Sequence, residues 1–594
     1  MFGTNEKFNL IRATYTKTQA PFTFFEDFYK PGTLRFGSNA AGESADFTDF
    51  LFDIDLTIDG VTQPYSYFAD EGSILVGEED YSAEFAIADE NHVRVRGFNS
   101  GLRLSLRSSK DDSASGCKGQ YNLPDGSGWE GHFGKNGKVF IRILSGSFYA
   151  SADYDDETNR YKALVLDFIP DQTTGIFEAA IYQYLGEALS PCSEFAEFDE
   201  IVAANKLSFE EFSQIYPPAP RGYEELSKYA RWLIWSHRTG VTQGLSEPLI
   251  LFQNGLVVTC ASWQQSYNAM AMRNDPEEAW RMICAMFKFQ DEATGRIPGM
   301  LTYQGGNAGQ QPPFQGFALE YLLREIGDDF LTFSRCKTMY PKFVKWAEFW
   351  LTYRNAGRGD DVTVMYSPHD SGWDDASNFQ DGLPAQDPNN MAFMVLLMEC
   401  IARLAIGCGK AEESSRWSER AEKLLNTIIN EFWDGEKFVT KVRGKNVKSL
   451  SLSCYQPLIL GKRLPQDIID KCAERLMEEG QWLTEIGLAS ESMQSEYVTF
   501  GRSFVCGRVV GPQNMILTVA LKAAGKDKEA KIIAKRFCDH ASREGIILGY
   551  APYDYFPRTG EMAPQQEVPT MMDGWPWSSW TANCILTMLG AVID

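Results

Sequence analysis

Residues Pro388–Phe432 read PNNMAFMVLLMECIARLAIGCGKAEESSRWSERAEKLLNTIINEF. Apolar residues recur there at i, i+3 and i+4 over two stretches, 388–408 and 411–432, and Gly407 and Gly409 supply a stop signal between them. The same period, followed outward, predicts further helices at 223–238, 261–272, 276–289, 314–326, 329–352, 465–479, 512–524, 526–543 and 578–592. About a dozen helices in succession, with no repeat of the kind that marks a solenoid, predict a toroid of helical hairpins.

Upstream the texture changes. Up to about Glu200 the chain carries short alternating stretches, among them DFLFDIDLTIDG, HVRVRGF, LRLSLRS, KVFIRILSGSFYAS and KALVLDFI, separated by Gly, Asp and Asn clusters. That pattern predicts an antiparallel β-sandwich. The stretch ending in YPPAPRG at Gly222 contains three prolines and reads as a linker. The expected organisation is a β-sandwich domain over 1–203, a linker over 204–222 and a catalytic domain over 223–594. The fold class is mainly α: an (α/α)6 toroidal barrel with an N-terminal antiparallel β-sandwich.

Composition narrows the partners. The 594 residues are 44% hydrophobic and 23% charged, a globular balance, with a net charge of −24. Such a surface repels nucleic acid and anionic membrane, and a neutral substrate suits it better. Twelve cysteines lie scattered, with no CxxC pair and no Cys/His cluster at metal-ligand spacing, so they read as reduced core thiols. The N-terminus, MFGTNEKFNLIRATYTK, has no apolar stretch after a basic start, and no apolar run reaches the length that spans a bilayer. A soluble cytoplasmic protein is expected, without metal or cofactor; the sequence leaves the oligomeric state open.

Long connections at 291–313, 353–387, 481–511 and 545–577 exceed ordinary interhelical turns, and such loops commonly carry function. Of the 14 tryptophans, 13 lie after residue 215. Flat aromatic faces stack on sugar rings, although a large helical core uses Trp as well.

Several segments occur in a familiar order. They are ASWQQSYNAMAMRNDPEEA (261–279), DEATGRIPGM (291–300), GQQPPFQGFALE (309–320), HDSGWDDASNF (369–379), QDPNNMAF (386–393), FWDGEKF (432–438), GRVVGPQNMI (507–516), YDYFPRTGE (553–561) and DGWPWSSW (573–580). Together they resemble the (α/α)6-barrel glycosidases of glycoside hydrolase families 63 and 37, the α-glucosidases, glycosylglycerate hydrolases and trehalases. The collinearity covers about 370 residues. The resemblance implies an inverting hydrolase in which one carboxyl protonates the leaving oxygen and another activates water.

On that resemblance the acid is Asp374, with Asp375 the adjacent alternative. A Gly-Trp pair before it suits a tight turn that presents a carboxyl in a partly desolvated wall, where its proton is retained. Asp370 falls where the motif's Glu would bind a sugar hydroxyl. Trp263, Gln264, Gln311, Trp373 and Trp577 are expected to line the subsite by stacking and hydrogen bonding. His237 and His369 read as hydrogen-bonding groups in the wall rather than metal ligands.

The base departs from the pattern. The family's Glu falls on Tyr553, and a phenol with a reference pKa of about 10 does not readily activate water. The Asp of the WD motif is Gln264 here, and the Arg of the WRG motif is Cys506, with Arg508 two residues on. Replacement carboxylates are Glu567 and Asp554 first, then Glu485, with Glu491, Glu496, Glu561 and Asp573 also available. The leading expectation is an exo-acting inverting glycosidase on a short α-glycoside, or on a glycoside of a small polyol or acid. Two alternatives stand beside it. One is a lyase or phosphorylase in which Tyr553 is the base and Arg508 the cation that lowers its pKa. The other is a non-catalytic carbohydrate-binding protein.

Overall fold

The structure, a computed structural model, describes residues 10, 13–26, 32–38, 51–106, 117–133, 137–157, 159–185, 192, 194–241, 244–252, 259–302, 305–499, 505–552 and 578–590. The chain forms two compact units. One comprises 1–214 with 232–259 and 302–304; the other comprises 215–231, 260–301 and 305–594.

The first unit is built from two antiparallel sheets. One orders its strands Phe22–Glu26, Leu34–Ser38, Leu51–Ile58, Gly101–Leu106, Arg160–Ile169 and Ser147–Asp155, with Val61–Gln63 paired on Leu51–Ile58. The other orders them Cys117–Asn122, Gly128–Phe133, Gly137–Ser145, Ile176–Leu185, His92–Phe98, Tyr81–Ile87, Ile74–Glu78 and Ser66–Ala69. Period-two alternation sets the inward faces: Phe52, Ile54 and Leu56 on one strand, and Leu102, Leu104 and Leu106 on its neighbour, are buried. Aromatic rings meet across the two sheets, Phe24 on Phe85 at 5.0 Å and Phe168 on Phe177 at 5.8 Å, which makes the pair a β-sandwich. Charged residues on the other faces pair across strands, Arg35 with Asp53 at 3.0 Å and Arg103 with Asp167 at 2.7 Å.

Helix α1, Phe198–Ser213, belongs to this unit and occupies residues 204–213, which the sequence assigned to a linker. Its apolar face, Phe198, Ile201, Phe209 and Phe212, recurs at helical spacing, and Phe198 and Ile201 pack against Ala86. Asn205 fixes its seat by donating to the carbonyls of Gly72 and Ile87.

After α2, Glu224–Ser236, the second unit alternates two kinds of helix. Buried along nearly all their length are α3 (Ser262–Ala271), α5 (Gln315–Ile326), α7 (Pro388–Gly407), the 3-10 segment Leu452–Arg463, α10 (Gly511–Ala523) and α12 (Ser578–Met588). Between them lie α4 (Pro276–Ala285), α6 (Phe333–Tyr353), α8 (Ala411–Thr427), α9 (Gln466–Leu476) and α11 (Asp527–Glu544), each with one buried stripe. Each of the six buried elements packs on the next, and α12 packs back on α3, where Trp263 meets Trp580 edge-on at 5.3 Å. The six therefore close a ring. Helix α7 is apolar and long enough to cross a membrane (mean hydropathy 1.6), yet 78% of that window is buried here: it is a core helix.

Helix boundaries follow local chemistry. Asp275 accepts from the amides of Glu277 and Glu278 to start α4, with Pro276 in its first turn. Five of the six buried elements pass to an amphipathic helix through a short connection, such as 408–410 or 524–526, and the chain returns by a long connection, such as 354–387, 433–451 or 477–510. The N-termini of the buried helices follow these long connections, and those of α3 and α12 lie together, where Gln264 reaches Ser579. The Leu452–Arg463 segment was missed in the sequence because Pro457 and Gly461, which has φ 56°, interrupt its period.

Candidate functional site

In the helical unit the segment 367–379 is held at most of its residues by local bonds and packing. Ser367 caps the 3-10 turn Pro368–Ser371, which ends at Gly372 with φ 72°. A Cβ built on Gly372 would lie 2.1 Å from Cη2 of Trp263, so the turn requires glycine both for its backbone and for its contact with the indole. The next side chain, Trp373, is 1% exposed and donates its indole N–H to Gln456. Asp375 Oδ1 accepts from the Val505 amide, its carbonyl accepts from the Cys506 thiol, and the Ser377 hydroxyl donates to Glu491. Between these anchors the Asp374 side chain keeps 29% of its surface, and its Oδ1 lies 3.0 Å from Nδ1 of His369. The His369 ring, 59% exposed, has its pKa raised above the ordinary value, chiefly by the hydrogen bond to Asp374.

Asp370 is buried. Its Oδ2 accepts from the amides of Tyr366 and Ser367 and pairs with Arg354 at 3.3 Å. The turn that carries this carboxylate takes it up, where a sugar hydroxyl was expected. Gln264 is equally engaged: it is fully buried, receives the Ala261 amide and donates to the Ser579 hydroxyl, closing the N-terminus of α3. Trp263 packs edge-on against Tyr267 and Phe314 as well as Trp580. Gln311 and Arg508 are buried, with the Arg508 carbonyl receiving the Ser490 amide. His237 is buried beside the Ser236 hydroxyl, and burial lowers its pKa to about 3, which keeps the ring neutral. Tyr553, Asp554, Glu567 and Trp577 lie outside the described residues.

The segment Thr484–Tyr497 separates its carboxylates sharply. Glu485 is exposed between the paired strands Leu483–Thr484 and Gly487–Leu488, and Glu496 is exposed as well. Glu491 is 0% exposed, and both of its oxygens lie 2.8 Å from the Ser377 hydroxyl. Ser495 also donates to it at 2.6 Å, while Ser377 lies 2.6 Å from Ser449. Burial pushes its pKa up to about 7. Three long connections therefore meet on one carboxyl beneath the Asp374 turn. In the sequence this Glu looked like its exposed neighbours. Asp387, buried before α7 and bonded by Thr440 and Asn389, is similarly pushed up to about 6.

A second signal was not read from the sequence. In the first turns of the buried helices, several polar atoms are buried without a protein partner among the described residues. They are Ser262 Oγ, Asn389 Oδ1, Ser453 Oγ, Gln456 Nε2, both amide atoms of Gln513 and Ser578 Oγ. Such groups are costly to leave unpaired. Among the described residues no group of three His, Cys, Asp or Glu side chains could hold a metal ion.

Comparison with known proteins follows this geometry. Residues 257–567, just over half the chain, match the mannosylglycerate hydrolase MGH1-like glycoside hydrolase domain. No curated protein matches. Among solved structures, a bacterial glucoamylase complexed with acarbose shares the fold, with a TM-score of 0.58 and 12% identity over 100% of this chain and 97% of that one. A glycoside hydrolase family 63 mannosylglycerate hydrolase from Thermus thermophilus, in complex with glucose, aligns at a TM-score of 0.49 and 16% identity over 61% of this chain and 99% of its own. The chain is a glycoside hydrolase and belongs to the mannosylglycerate hydrolase MGH1-like glycoside hydrolase family.

Proposed function

We propose that the helical unit is an (α/α)6 barrel that hydrolyses short α-glycosides from the end, with inversion, and that Asp374 is its general acid. The closed ring of six buried helices supports the barrel. The observation that carries the acid is the fixing of Gly372, Trp373 and Ser377 on either side of Asp374, whose carboxyl keeps 29% of its surface beside His369, while the exposed Asp375 is tied to the Val505 amide. A side chain held this way meets the geometric demand of proton transfer to a leaving oxygen. Activation of water falls to a second carboxylate, Glu567 or Asp554, in the stretch where the family's Glu is replaced by Tyr553. Glu491 is not that base: both of its oxygens are occupied by serine hydroxyls. The unpartnered polar atoms at the helix N-termini would bind the sugar, and the aglycone is another sugar or a small acid such as glycerate. A reducing, cytoplasmic setting belongs to the same proposal, supported by the twelve cysteines, which form no disulfide among the described residues.

The test uses maltose and 2-O-α-mannosylglycerate as probes. Proton NMR of the first product should show the inverted anomer. Asp374→Asn should lower kcat/KM on these poor leaving groups by about 100- to 10,000-fold. It should do much less harm on 4-nitrophenyl α-glucoside, whose leaving group needs no proton. Full activity of that variant on the poor leaving groups would refute the assignment.

A further inference from the structure

We propose that His369 is the positioning partner of Asp374 that stores its proton in the resting enzyme and hands it over when substrate covers the site. This rests on Asp374 being the acid. Asp374 keeps 29% of its surface open and has His369 as its one charged neighbour within hydrogen-bond distance among the described residues. The His369 Nδ1 faces Asp374 Oδ1 at 3.0 Å from a turn five residues upstream, and Ser367 Oγ holds the His369 backbone amide. The described charged groups that act on the ring are Asp374, Asp370 and Asp375, all acidic. Asp370 is itself paired with Arg354, so Asp374 is the direct acceptor. In water the proton rides on the imidazole, as an imidazolium–carboxylate pair.

A sugar lying over the turn removes water from both partners. Desolvation disfavours each charged form, and the neutral pair of carboxylic acid and imidazole then becomes the favoured arrangement. The proton moves from Nδ1 to Oδ1, leaving a neutral ring, and Asp374 passes it to the leaving oxygen as the glycosidic bond breaks. The carboxylate that remains is reloaded after product leaves: the exposed imidazole takes a proton from water and restores the pair. Each cycle consumes one solvent proton at this site and returns one from the attacking water, so the balance closes.

The experiment measures kcat/KM on maltose against pH for the full chain and for His369→Gln, with Asp374→Asn alongside. In the wild type, activity should fall on the alkaline side as the pair loses its proton, above about pH 6.5, the ordinary histidine value. In His369→Gln that limb should move toward acid by about one pH unit or more, giving about a tenfold loss at pH 7.5 and less than about a twofold loss at pH 5. Adding imidazole to His369→Ala should restore part of the lost rate. An alkaline limb unchanged in His369→Gln would overturn the relay, as would an equal loss at every pH without rescue. If Asp374→Asn keeps the wild-type rate on maltose, the acid assignment itself fails. If Asp374→Asn is inactive while His369→Gln behaves as wild type, only the relay fails.

Discussion

The sandwich and the long-connection end of the helical unit place their buried polar groups differently. In the sandwich, Arg94 binds Glu178 and the Ala196 carbonyl, Arg35 meets Asp53 across neighbouring strands, and Asn205 donates to the carbonyls of Gly72 and Ile87, while Arg94 Nε, Gln183 Oε1 and Asn205 Oδ1 are buried without a partner among the described residues. Each of these contacts serves the fold that holds it. At the N-termini of the buried helices, among the described residues, Gln513 keeps neither amide atom bonded, and Ser453, Gln456 and Asn389 each leave an atom without a partner. A buried unpaired group costs about 1–3 kcal/mol. The proposed use of the cluster at the helix N-termini is to bind substrate, at a cost in stability.

Four substitutions would break or sharpen this contrast. The largest effect belongs to Gly372→Ala. The backbone there has φ 72°, and the new Cβ would fall 2.1 Å from Trp263, so turn or indole must move and carry Asp374 with it. A fall in kcat of about 10- to 100-fold is expected in steady-state kinetics, from misplacement of the acid alone. An unchanged kcat would mean that the turn does not position the acid.

Next is Glu491→Gln, read through the pH dependence of stability. Burial raises the folded pKa to about 7 from 4.5. The unfolded chain thus ionises first, and stability is lost as pH rises through that window. The difference amounts to about 3 kcal/mol by pH 7. Thermal melts at pH 5 and pH 7 should show the wild type losing this stability and Glu491→Gln retaining it. Parallel curves would place Glu491 in a more hydrated setting than its serine partners indicate.

In the sandwich, Asn205→Ala strips the donor from the Gly72 and Ile87 carbonyls. Denaturant unfolding should show a loss of about 2 kcal/mol with kcat/KM on maltose unchanged. A parallel loss of activity would contradict the division of labour. The smallest change is expected of Gln513→Met, which removes a buried amide that has no partner among the described residues. Stability should hold or rise by about 1 kcal/mol while KM for maltose increases several-fold. A destabilised variant with unchanged KM would show that the amide serves the fold instead.

Much of the architecture was legible without coordinates. The expected helices at 388–408 and 411–432 correspond to α7 and to α8 with its π-helical extension Ile428–Phe432, because unbroken 3.6-residue periodicity reports packing of a face. The 204–222 linker was drawn too early, since the apolar stripe of α1 runs past residue 203 into it. The Asp374 turn was legible too, since Gly-Trp before an acid signals a constrained presentation. The roles expected of Asp370 and Gln264 could not be checked locally, because their partners, Arg354 and Ser579, lie far along the chain.

Periodicity, turn residues and the order of motifs determined the helices, the sandwich and the family. They did so because each depends on residues close together in sequence. The state of the individual carboxyls was left to the tertiary structure. Glu485 and Glu491 stand six positions apart in one polar segment, and nothing local distinguishes them. One lies in the open between two short strands; the other is covered by two further loops that bring Ser377 and Ser449 to it. Burial and pKa are properties of what packs against a residue, and the chain must fold before that is settled.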